Sequence, residues 1–121
     1  MPEKKVLIVE DDLVQKRLNS KWVEQLGHKI VGIVSNSTDA ISTTQKHQPD
    51  LILMDVRIEG KLDGIDTMHE IVKFSHASCI YITSNNDEYM AERIKGTNCL
   101  AVFNKPITVE DLKLHLSRLG G

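Results

Sequence analysis

The chain has 121 residues, 40% of them apolar and 26% charged, with 15 Lys and Arg against 17 Asp and Glu for a net charge of −2. That length serves one domain, and folding would hide about 65% of the unfolded surface, enough for a core without staples. The charge argues against a strongly cationic nucleic-acid binder, no apolar run approaches the roughly 20 residues of a membrane helix, and the start Met1-Pro2-Glu3-Lys4-Lys5 does not read as a secretory signal.

Five short apolar runs punctuate the chain: Val6–Val9, Ile30–Val34, Leu51–Met54, Cys79–Ile82 and Leu100–Phe103. They are continuous rather than alternating, which suits strands covered on both faces of a parallel sheet. Between them lie helical crossovers. After the first run, Val14, Leu18, Trp22 and Leu26 follow i, i+4 steps and predict one buried face, with Gly27 as a stop. Asn36 or Ser37 can cap a second helix, which ends before Pro49. A third follows Gly64, with Ile65, Met68 and Ile71-Val72 at helical spacing. A fourth spans about Asp87 to Lys95, with Met90 and Ile94 paired. Thr108 caps the last, whose buried stripe is Val109, Leu112, Leu116 and Leu119. Five β-α units joined by right-handed crossovers predict a doubly wound α/β sandwich. Cys79 and Cys99 form no CxxC pair and read as reduced, buried side chains in a cytoplasmic domain. His47, His69, His76 and His115 read as solvated, and no His shows metal-ligand spacing.

Ligands of doubly wound sheets bind beyond the carboxyl ends of the strands. The residues that close the runs are Glu10, Asp11 and Asp12, then Asp55, then Thr83 and Ser84, then Asn104, Lys105 and Pro106. Taken singly, each is a cap, a turn or a surface charge. Together they place carboxylates, a hydroxyl and an ammonium on one rim. Carboxylates packed there repel, and a divalent cation relieves that. Oxygen ligands without His or Cys suit Mg²⁺, with Lys105 and Thr83 available to phosphate oxygens. The implied reaction is phosphoryl transfer to a carboxylate.

The set Val-Glu-Asp-Asp (9–12), Leu-Met-Asp-Val (53–56), Ile-Thr-Ser (82–84) and Phe-Asn-Lys-Pro (103–106) resembles the receiver domain of two-component response regulators, across about Lys5 to Leu119. The resemblance implies a single receiver domain over 1–121, with its core at about 5–119. It implies a (βα)5 flavodoxin-like three-layer sandwich with a parallel five-stranded sheet in the order 2-1-3-4-5. Asp55 is then the phosphoacceptor, fed by the phosphohistidine of a histidine kinase or histidine phosphotransfer protein. Asp11 would ligate Mg²⁺ directly and Glu10 mainly through water, with Asp12 just outside the pair as a helix start. The backbone carbonyl of Arg57 would be a further ligand. Thr83 would be the switch hydroxyl and Lys105 the lysine that pairs with Asp55. Pro106 fits the family's peptide geometry, with a cis bond as one option. Helix 4, strand 5 and helix 5, with Tyr89 and Leu114 if exposed, would offer a surface for an effector or a homodimer. Neither nucleic acid nor membrane is an expected direct partner.

Three positions depart from the family pattern. Val102 stands where an aromatic switch is common, while Phe103 should face the other side of its strand. The loop Val56–Asp63 is one residue longer than usual and lacks proline, which predicts mobility. Asn98 replaces a turn glycine, a mild change because Asn tolerates the left-handed conformation. Arg57 and Asn85 occupy positions that tune phosphate lifetime in the family, and Arg57 could shield an acyl phosphate from water. The main rival reading is a non-phosphorylated pseudo-receiver that binds proteins. A phosphatase with an aspartyl intermediate would carry an acid where Arg57 stands. A flavodoxin relative would have a Gly/Ser/Thr-rich turn where Glu10-Asp11-Asp12 stands.

Overall fold

The computed structural model describes residues 3–84 and 88–119. Strands and helices alternate strictly: β1 (Lys5–Val9), α1 (Leu13–Gln25), β2 (Lys29–Val34), α2 (Ser37–His47), β3 (Leu51–Asp55), α3 (Gly64–Ile71), β4 (Ser78–Thr83), α4 (Glu88–Arg93), β5 (Cys99–Asn104) and α5 (Val109–Leu119). The strands form one parallel sheet in the order β2-β1-β3-β4-β5. This is the doubly wound, flavodoxin-like arrangement that the resemblance implies.

The apolar runs are continuous because each strand feeds two cores. One face carries Leu7, Val9, Ile52, Met54 and Tyr81 against Ala40, Ile65, Met68, Ile71 and Met90. The opposite face carries Val6, Ile8, Leu51, Leu53, Ile80 and Ile82 against Val23, Leu112 and Leu116. Each fully buried Leu or Ile contributes about 1.5–3 kcal/mol relative to exposure. The edge strands β2 and β5 are only partly covered, so Ile33 and Leu100 reach solvent.

The caps follow the sequence. The side chains of Asp12, Asn36 and Asp63 each accept a backbone N–H three residues on, at the starts of α1, α2 and α3. Thr108 and Asp111 form a reciprocal capping box at α5. Gly27 and Asn98 adopt positive φ, as their turns require. Four expectations need correction. The α1 stripe winds too far: its three i, i+4 steps each advance about 40° around a 3.6-residue helix. Val14 and Leu18 therefore point outward, Trp22 and Leu26 pack at the margin, and Asn19 and Val23 face the sheet. Helix α4 ends at Arg93 rather than Lys95, because residues 94–97 tighten into turns and Gly96 takes a positive φ. His115 is half-buried, edge-on to the Phe103 ring at 5.2 Å. Cys99 is half-buried because β5 is an edge, whereas Cys79 is fully buried, and both are free thiols. The expectations for Asn85 and for Asp87 at the start of α4, and the Leu119 side chain, lie outside the described set.

Candidate functional site

Parallel pairing brings every strand's carboxyl end to one rim. Val9 pairs with Met54, Asp55 with Ile82, and Thr83 with Asn104, so the residues that close β1, β3, β4 and β5 come together. The Glu10 N–H continues the β1 ladder to the Val34 carbonyl at 2.8 Å. The Glu10 carboxylate accepts the N–H groups of Asp11 at 3.0 Å and Asp12 at 3.2 Å through Oε2. Those two bonds fix its direction. Asp12 turns away to cap α1. Asp55 Oδ1 accepts the Arg57 N–H at 3.2 Å. The Lys105 N–H bonds to the Thr83 carbonyl at 2.8 Å, which seats the lysine and the threonine side by side. The Lys105–Pro106 peptide is cis.

The side chains converge as their positions predict. Oxygens of Glu10, Asp11 and Asp55 lie within 4.8 Å of one another. Lys105 Nζ donates to Asp55 Oδ2 at 3.1 Å and sits 3.2 Å from Glu10 Oε1. Glu10 and Asp55 are buried, whereas Asp11 is open to solvent. Burial pushes the Glu10 carboxyl above its ordinary value, and the Asp55 carboxylate beside it adds to that shift. Burial works against the charge of Lys105, but Asp55 and Glu10 outweigh it and raise its pKa. Glu10 Oε1 is buried and accepts no well-formed hydrogen bond among the described residues. Three carboxylates against one ammonium leave the rim short of positive charge. A buried carboxylate oxygen without a well-formed hydrogen bond, within a set of hard oxygen donors, fits a small divalent cation such as Mg²⁺.

Thr83 is buried at the end of β4, and Arg57 is exposed on the loop after Asp55. Val102 packs toward the α2-α3-α4 face and Phe103 toward α1 and α5, so the two face opposite sides as expected. Tyr89 is 80% exposed and Leu114 55% exposed, and Leu100 on β5 also reaches solvent. Loop 56–63 carries several ties. Glu59 bridges to Asn36 beside the end of β2, and the Gly64 N–H returns to the Val56 carbonyl at 2.7 Å. The roles of three residues of this region escaped the sequence reading: Asp63, Gly64 and Arg93. A Cβ on Gly64 would collide with the Asp55 carbonyl, so only glycine lets α3 start so close to the acceptor strand. The Asp63-Gly64 pair is a turn signal that could have found it. Nothing local marks Arg93 as the partner of Asp63, 30 residues away.

Five parallel strands wound in this order, with an acidic cluster and a lysine on the carboxyl rim, define a flavodoxin-like domain built around an acidic rim site. The chain belongs to the response regulator receiver domain family, which matches residues 6–117. It is 29% identical over 109 residues to the transcriptional regulatory protein PdtaR of Mycobacterium tuberculosis, covering 90% of this chain and 53% of that protein. It is also 29% identical over 109 residues to the polar-differentiation response regulator DivK of Brucella anthropi, covering 88% of this chain and 87% of that protein. Among solved structures, the signal receiver domain of a modulated diguanylate cyclase from Desulfovibrio desulfuricans superposes with a TM-score of 0.89 at 27% identity, over 98% of this chain and 94% of that one. The chain thus spans about half the length of the mycobacterial regulator. Receiver domains are signalling domains of two-component systems rather than turnover enzymes. No helix among the described residues is long and apolar enough to cross a membrane.

Proposed function

We propose that this chain is a single receiver domain that accepts a phosphoryl group on Asp55 and switches conformation in response. The observation that carries the reading is the 3.1 Å contact of Lys105 Nζ with Asp55 Oδ2 inside the cluster of Glu10, Asp11 and Asp55. The donor is the phosphohistidine of a histidine kinase or histidine phosphotransfer protein. A carboxylate oxygen of Asp55 forms the new O–P bond as the P–N bond breaks, and the imidazole leaves with the electron pair. The Arg57 N–H and Lys105 hold the Asp55 carboxylate in a defined orientation. Lys105 then stays beside the product to neutralise its charge, and the Thr83 hydroxyl turns toward the new phosphoryl oxygens. Glu10, Asp11, Asp55 and the Arg57 carbonyl would hold Mg²⁺, which when bound supplies charge neutralisation for phosphoryl transfer.

Phosphate contacts favour one of two pre-existing conformations, so the response is a population shift. The exposed side chains of Tyr89, Leu100 and Leu114 support a surface on α4, β5 and α5 for an effector or a second copy. The test is intact mass after incubation with a small acyl-phosphate donor, with and without Mg²⁺. The expected result is one added phosphoryl group that requires Mg²⁺ and is lost in Asp55→Asn. No mass gain in the wild type under either condition would overturn the reading and leave a pseudo-receiver that binds proteins.

A further inference from the structure

Helix α4 is weakly anchored by apolar contact. It has six residues, and Met90 is its one buried side chain among those described. Ile94, just past its end, is partly packed. A helix of that length has no stability of its own. Its polar ties are correspondingly specific. Arg93 Nη2 donates to Asp63 Oδ1 and Oδ2, both at 2.8 Å, and to Asp66 Oδ1 at 3.2 Å. The Arg93 carbonyl lies 2.6 Å from His69 Nε2 on α3. Arg93 thus grips α3 through its side chain and its backbone.

Asp63 is more than a surface partner. Its side chain caps α3 through the Asp66 N–H at 2.9 Å, and it ends the loop that begins after Asp55. The next residue, Gly64, lies against the Asp55 carbonyl. Arg93, Asp63, Arg57, Thr83 and Met90 line one cleft of about 200 Å³. Ordinary exposed ion pairs contribute little because ordering two long side chains costs entropy. Here one partner is already immobilised as a helix cap, and the other engages two carboxylates at once.

We propose that Arg93 is a positioning residue that latches α4 to Asp63, so that the placement of α4 is coupled to the loop following Asp55. Helix α4 then cannot move independently of that loop. The latch itself stands on geometry; its use in signalling rests on the phosphorylation reading above.

Amide hydrogen exchange on the whole chain tests it, with wild type, Arg93→Gln, Asp63→Asn and the double variant. Asn keeps the α3 cap through its one oxygen, while the charge and the second acceptor for Arg93 are lost. Each single variant is expected to speed exchange in both 57–63 and 88–93 by about fivefold, the upper range for an exposed ion pair. The double variant should exchange no faster than Arg93→Gln, since that variant already removes the contacts to both Asp63 and Asp66. Exchange in β1 and β3 should not change. Acceleration confined to one of the two segments, or additive in the double variant, overturns the latch. A second arm adds beryllofluoride with Mg²⁺ as a phosphoryl mimic. It should alter both segments in the wild type but only 57–63 in Arg93→Gln. Equal responses of both segments in the two proteins would also overturn the latch. A wild type that does not respond to the mimic refutes the phosphorylation reading, while the exchange measured without it still decides the latch.

Discussion

Replacing Glu10 with Gln tests the charge balance of the rim directly. The amide oxygen of Gln can keep the bonds from the Asp11 and Asp12 N–H groups. Its NH₂ takes the place of Oε1, from which it can donate toward Asp55, but it gives up the 3.2 Å contact with Lys105 Nζ. At an effective dielectric of 20, a second carboxylate within 4.8 Å costs Glu10 at least about 3.5 kcal/mol. Lys105 at 3.2 Å returns about 5 kcal/mol on the same scale. Desolvation of a side chain only 1% exposed costs several kcal/mol more and tips the sum against the charged form. Without metal at pH 7, Glu10→Gln is therefore expected to stabilise the fold by about 1–2 kcal/mol, or roughly 3–10 °C in Tm. Mg²⁺ should raise the Tm of the wild type and raise that of the variant less, because one of the carboxylates that call for a cation is gone. Thermal unfolding followed by circular dichroism, with EDTA and with millimolar Mg²⁺, reads both effects. A lower Tm for the metal-free variant, or an equal gain from Mg²⁺ in both proteins, would show that the rim is not strained by like charge.

Gly64→Ala drives a methyl group into the Asp55 carbonyl, and the overpacking is expected to cost about 1–3 kcal/mol, measurable by urea unfolding. His28 gives a pH signature. Burial, with Lys4 nearby, holds its pKa below the ordinary value, and Nδ1 accepts the Lys4 N–H at 3.0 Å. The unfolded state thus binds the proton more readily than the fold. Stability should be full above pH 6.5 and decline as pH falls through that value toward the lower folded pKa. Urea midpoints measured from pH 8 to 5 should show this slope in the wild type and a flatter one in His28→Gln. Arg57→Ala is expected to change the lifetime of the phosphorylated protein, and equal hydrolysis rates by time-resolved mass measurement would remove Arg57 as a shield.

The sheet and the rim were readable because their signals are local. Each apolar run ends beside the residue that reaches the site, so Glu10, Asp55, Thr83 and Lys105 stand at or just past the ends of their runs. The resemblance to receivers supplied the strand order that makes β1 and β3 neighbours, which run lengths alone leave open. Helix orientation was harder to read. The α1 stripe failed because i, i+4 steps sweep around the helix, and its first turn carries Leu13 and Val14 where no layer covers them. His115 looked solvated from its helix position, yet Phe103 on β5 half-covers it. The contact between Arg93 and Asp63 joins two helices across 30 residues, and no single-sequence pattern records such a pair.

The bond from the Lys105 N–H to the Thr83 carbonyl has a consequence for timing. The backbone of Thr83 is held in the sheet, paired with Asn104 on the neighbouring strand. Its hydroxyl can therefore change direction only by rotation about the side-chain bond, an event of picoseconds to nanoseconds when unhindered. Any slower relaxation after modification of Asp55 must arise where whole segments re-dock. Relaxation-dispersion signals on the microsecond-to-millisecond scale should thus concentrate in α4 and the loop after β3, and leave the ends of β4 and β5 quiet.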